Sequence, residues 1–123
     1  MMGGVIMGLR ETLEQRLAAG QDDAMLRLSL AQICLREGEW TAVRDHASAC
    51  LRHSPGQVVA YKLLGKALDA LGDAPGALAA YRDGIARARD GGQIQTAREM
   101  EVFLRRLEAR MAAAADDDHG GAR

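Results

Sequence analysis

YKLLGKALDALGDAPGALAAYRDG, residues 61–84, reads as two helices back to back across a tight turn. Ala60, Leu64, Ala67, Leu68 and Leu71 recur at helical spacing and stop at Gly72, a residue suited to the left-handed turn that ends a helix. Asp73 follows as the N-cap of the next helix, and Pro75 falls in its first turn, where the missing N–H costs nothing. That second helix turns Ala77, Leu78, Tyr81 and Ile85 to one side and closes at Asp90-Gly91-Gly92.

The same punctuation runs outward in both directions. Upstream, Leu9, Leu13 and Leu17 mark a helix ending at Gly20, and Asp22 and Asp23 stand ready to cap the next. Leu26, Leu30, Ile33 and Cys34 form the stripe of that next helix, which stops at Gly38. Val43, Ala47, Cys50 and Leu51 belong to a third helix, broken by Ser54-Pro55-Gly56. Downstream, Ile94, Ala97, Met100, Leu104, Leu107 and Met111 mark a last helix over 93–113, with Glu101, Arg105, Glu108 and Arg110 on its outer, solvated side. Residues 1–8 read as a flexible lead in which Met2 or Met7 could equally be the start, and 114–123 as a disordered acidic tail.

Composition agrees with an all-α chain. Of 123 residues, 48% are hydrophobic but only 3% aromatic, and Ala and Leu dominate, which disfavours a β-sandwich or barrel. A net charge of −1 leaves no basic footprint for nucleic acid. No apolar run reaches the roughly 20 residues of a membrane span, and the N-terminus lacks the basic segment of a secretory signal. Two cysteines without a Cys-x-x-Cys pair point to a reducing cytoplasm.

The helices repeat at 34 residues: Leu30 maps to Leu64, Ala31 to Gly65, Gly38 to Gly72 and Glu39 to Asp73. In this the chain resembles the tetratricopeptide repeat. The second copy carries Tyr61, Leu64-Gly65, Leu68, Gly72-Asp73, Ala77, Tyr81 and Gly84. The first is more degenerate, with Arg27, Leu30-Ala31, Cys34, Gly38-Glu39, Val43, Ala47, Cys50 and Pro55. The resemblance implies a right-handed stack of antiparallel helix pairs in one domain over 9–113. Its full repeats would be 24–57 and 58–91, flanked by helices 9–20 and 93–113. Leu9 and Leu13 fall one repeat before Val43 and Ala47, so the first helix fits as a lone second-helix half. The last places Arg98-Glu99 where Leu-Gly would stand and reads as a cap outside the repeat.

Chemical candidates are few. His46, Cys50 and His53 share one helix face at a spacing that could offer metal ligands, yet Cys50 holds a small-residue packing position, which favours a buried thiol beside two surface histidines. Cys34 takes a core aromatic's place. Gly65-Lys66 is no phosphate loop, because Ala67 stands where Ser or Thr is needed and the segment is helical. Trp40 stands at a turn position where a family aromatic packs. Nothing supplies a base, nucleophile, metal or cofactor, and no enzyme is expected.

What the resemblance implies instead is a concave wall made by the first helix of each pair. Carried over, the wall residues are Met25, Leu28, Gln32 and Leu35 in the first copy and Val59, Lys62, Lys66 and Asp69 in the second. Such a wall takes a peptide or amphipathic helix of another protein, with Lys62 and Lys66 favouring acidic partners. Two alternatives stand beside it: Met25, Leu28 and Leu35 cover a neighbouring helix, or the apolar wall joins two copies in a weak homodimer. The carboxylate clamp of chaperone-tail-binding relatives requires Lys and Asn where this chain has Leu28 and Leu63, so capture of a free C-terminus by that route is not expected.

Overall fold

A computed structural model describes residues 8–121, with side chains through residue 117. The flexible lead expected at 1–8 therefore lies outside the described residues except for Gly8. Six helices and no strands are found among the described residues: α1 Leu9–Ala18, α2 Ala24–Arg36, α3 Trp40–His53, α4 Val58–Ala70, α5 Ala74–Asp90 and α6 Ile94–Gly121.

The turns explain the boundaries. Gly38 and Gly72 take positive φ, 72° and 87°, a conformation that costs other residues a Cβ clash. Just beyond them, the N–H of Glu39 donates to Cys34 O at 3.0 Å and that of Asp73 to Leu68 O at 2.8 Å. Two helix ends one repeat apart are thus closed by the same hydrogen bond. Asp23 and Asp73 cap as expected, accepting from the N–H of Leu26 at 2.9 Å and of Gly76 at 3.0 Å. Asp22 instead pairs with Arg27.

The helices form a right-handed stack of antiparallel pairs, α2 with α3 and α4 with α5. Leu28, Ala31, Cys34, Val43, Ala47, Cys50, Ala60, Leu63 and Ala67 form one continuous core through α2, α3 and α4. Tyr61, Tyr81, Ile85, Met100 and Leu107 centre the next, through α4, α5 and α6. Leu13 of α1 closes the near end on Leu26 and Leu30, and Arg10 pins it there through ion pairs to Glu37 and Glu39.

The last helix departs from its sequence reading in three ways. It is not outside the repeat but continues it with a shift of two residues. α5 has 17 residues where α3 has 14, so Ile94 follows Val58 by 36 positions while Val58 follows Ala24 by 34. The position of Leu30 and Leu64 is accordingly held by Met100, which is fully buried, rather than by Arg98. Its charges Arg105, Glu108 and Arg110 are exposed as expected, but three of the four are also paired across helices: Glu101, which is half-buried, with Arg89, Glu108 with Arg82 and Arg110 with Asp69. Finally, α6 passes residue 113 and continues through the expected tail to Gly121. Ala112–Ala115 are strong helix formers with no breaker among them, although 112–117 are exposed and pack on nothing.

Candidate functional site

The first helices of successive pairs, α2, α4 and α6, stand side by side and present the wall. Between α2 and α4 lies an open cleft of about 330 Å³ lined by Gln32, Leu35, Arg36, Val59, Lys62, Leu63 and Lys66. Five of the eight residues expected on the wall meet there. A sixth, Asp69, lines an adjoining depression of about 480 Å³ that shares Lys66 with the cleft.

The other two lie elsewhere. Leu28 is buried at 7% exposure in the α2–α3–α4 core, so at this position the covering role holds. Met25 is exposed, but it borders a separate depression with Leu13, Arg16 and Asp23 at the α1 end of the stack.

Each charged wall residue of α4 is engaged by α6. Lys62 Nζ lies 3.4 Å from Glu99 Oε2, Lys66 Nζ sits 4.7 Å from the Phe103 ring centre, and Arg110 grips Asp69 through two hydrogen bonds of 3.0 and 2.6 Å. These pairs step down both helices together, about a turn at a time at first, and hold α6 against α4 in one register. They are partly exposed, so each contributes modestly to stability; their larger effect is to place positive and negative groups at known points along the wall. Glu99, Phe103, Arg106 and Arg110 were missed by sequence reasoning, which placed α6 outside the repeat. The signal that could have found them is the hydrophobic stripe Ala97, Met100, Leu104, Leu107, whose phase requires the two-residue shift.

The larger of the two depressions collects aromatic residues. Trp40, Tyr81 and Phe103 line it together with Lys66, Asp69, Arg106 and Arg110. Tyr81 stacks on Phe103 with ring centres 5.9 Å apart. Burial, with the nearby Asp69 charge adding to it, pushes the Tyr81 phenol up to about 12, so it stays protonated at any physiological pH.

On the other side, the His46, Cys50 and His53 face is taken up by packing and hydrogen bonding. Cys50 is fully buried. His46 Nδ1 is 3.0 Å from Arg27 Nη1, and His53 Nε2 is 3.0 Å from Asp22 Oδ1. Burial, reinforced by the Arg27 charge, lowers the His46 value below the ordinary imidazole, so the ring accepts from Arg27 in its neutral form. Burial raises the thiols of both Cys34 and Cys50. Among the described residues no group of three or more His, Cys, Asp or Glu side chains is placed to hold a metal.

The comparisons with known proteins agree with this architecture. No family model matches the chain. A TPR repeat-containing protein of Pseudomonas aeruginosa is 41% identical over 98 residues, covering 80% of this chain and 93% of the relative. The chain belongs to the tetratricopeptide-repeat family. This tetratricopeptide-repeat protein also superposes on a Bordetella parapertussis protein solved in solution, with a TM-score of 0.76, 38% identity, and coverage of 93% of this chain and 98% of that one. A Salinibacter ruber tetratricopeptide repeat domain protein matches with a TM-score of 0.64, 25% identity, and coverage of 72% and 89%. In this tetratricopeptide-repeat protein the helix pairs α2–α3 and α4–α5 are flanked by α1 on one side and α6 on the other. No helix among the described residues is long and apolar enough to cross a membrane.

Proposed function

We propose that this tetratricopeptide-repeat protein is a non-enzymatic interaction module that holds a segment of another protein along the face shared by α2, α4 and α6. The observation that carries the reading is the open cleft in which Gln32, Leu35, Val59, Lys62 and Lys66 converge from two helices. It joins an apolar strip to a row of long cationic side chains, the combination that seats an extended peptide or one face of an amphipathic helix. Packing within the stack fixes the helices, so the wall is preorganised and little ordering cost attaches to binding. Cys34 and Cys50 are unpaired thiols, which suits work in the cytoplasm.

Self-association through the wall is the weaker reading. With Leu28 and Leu63 in the core, the apolar strip shrinks to Leu35 and Val59, and two copies meeting there would oppose Arg36, Lys62 and Lys66 to the same charges.

Affinity capture from the native host tests the proposal, using wild type, Val59→Glu, Lys62→Glu and an outer-face control, Arg52→Glu, each checked by thermal melt. Partners are expected to be retained by wild type and the control and lost by the two wall variants. Equal retention by all four rejects the wall as the binding face.

A further inference from the structure

Resting on that reading, the structure assigns the depression at the lower end of the wall to one kind of occupant: an acidic segment of a partner protein that inserts an aromatic side chain. Three of the chain's four aromatic residues, Trp40, Tyr81 and Phe103, line this one depression, and they reach it from three different helices. Its volume of about 480 Å³ falls in the range of sites that enclose small ligands or buried side chains. Phe103 is partly exposed and stacked on the buried Tyr81, so an entering ring meets an aromatic side chain already held in place, at little entropic cost.

Charge selects the rest of the occupant. Lys66, Arg106 and Arg110 line the depression against a single carboxylate, Asp69, and that carboxylate is held by Arg110. Arg106 is exposed and has no acidic partner among the described residues, while Lys66 lies over Phe103 rather than on a carboxylate. Arg36 in the adjoining cleft extends the cationic row toward α2, while Lys62 beside it is paired with Glu99. The chain as a whole carries a net charge of −1, so this excess is local to the wall and matches a partner bearing Asp or Glu around its anchor.

Trp40 is the chain's only tryptophan, and its emission reports on the depression directly. The probe is a short synthetic peptide of Glu and Ser with one central Phe and no Trp, titrated into the full chain at low salt. It is compared with the same peptide carrying Ser for Phe and with a Lys/Ser peptide carrying Phe. The expected result is a saturable change in Trp40 emission with the acidic Phe peptide alone, weakened about tenfold or more by loss of Phe or by Arg106→Glu. Arg106→Glu alters an exposed side chain and is expected to keep the wild-type melt. Absence of binding, or binding indifferent to Phe, overturns the assignment without touching the α2–α4 cleft. Binding that survives Arg106→Glu but is lost in Lys62→Glu also overturns it, and leaves the cleft as the partner site. Binding seen only after deletion of 114–123 makes the chain's own Asp116-Asp117-Asp118 the occupant and overturns it too.

Discussion

The Tyr81 ring lies directly over Gly65, where a Cβ would overlap the ring edge. One repeat earlier the same pair of positions holds Ala31 and Ala47, both fully buried. The two repeats thus solve one packing problem with opposite choices, a large residue on glycine or two small residues together. The chain uses the first again in mirror form, since a Cβ at Gly84 would stand 2.6 Å from Tyr61 Cβ.

Gly65→Ala is therefore expected to destabilise the fold by about 1–3 kcal/mol, because overpacking outweighs the usual helical advantage of alanine. Ala31→Gly, at the matching site, is expected to cost only about 0.5–1 kcal/mol. Urea unfolding of both variants checks the pair, and a Gly65→Ala protein more stable than wild type contradicts the packing.

Cys34 and Cys50 are fully buried, and burial raises both thiols. Neither is expected to react with a thiol reagent in the native protein within the time that labels both after denaturation. Mass spectrometry of the labelled chain reads the outcome. Rapid native labelling of Cys50, or stoichiometric zinc uptake, would reopen the His46, Cys50, His53 face as a ligand set.

Acid is expected to weaken the fold in two stages. His46 has its value lowered in the fold, so the unfolded chain binds the proton first as pH drops past the ordinary 6.5, and stability falls from there. The carboxyl of Asp22, held well below its ordinary 3.8 by Arg27, adds stability present above that value and lost as pH falls beneath it. Thermal melts from neutral to acid pH follow both stages. His46→Gln can still accept from Arg27 and is expected to flatten the first while leaving the second.

Much of this was legible in the residues. The Gly38-Glu39 and Gly72-Asp73 junctions each announced a helix end, because a positive φ is a local demand that a sequence states locally, and Asp73 also announced the next start by capping it. Gln32, Leu35, Val59, Lys62 and Lys66, expected on the wall from the resemblance to the tetratricopeptide repeat, line one cleft. The place of α6 did not, because three extra residues in α5 shift the register by two and a fixed period then falls on Arg98-Glu99 instead of Met100-Glu101. The pairing of Arg110 and Glu101 was not visible because their partners, Asp69 and Arg89, lie on other helices. Leu28 showed only an apolar side chain at a wall position; whether a neighbour covers it depends on the distance between α2 and α4.

Removing α6 before Gln93 is expected to leave an aggregating or unfolded chain. Ala97, Met100 and Leu107 are at most 1% exposed, and the apolar surface uncovered on α4 and α5 is worth about 25 cal/mol per Å². Deleting 114–123 is expected to move the melt little, since the side chains described there pack on nothing. A soluble 1–92 fragment that melts cooperatively contradicts the role given to α6.

The central claim is that a partner protein lies on the α2–α4–α6 face. A photo-crosslinking residue placed at Gln32, in the cleft, and in a second protein at Arg52, on α3, tests it most directly in native-host extract. Gln32 is expected to yield a discrete crosslinked species containing another protein, and Arg52 none. Crosslinks from Arg52 alone, or from Gln32 only to a second copy of this chain, would contradict it.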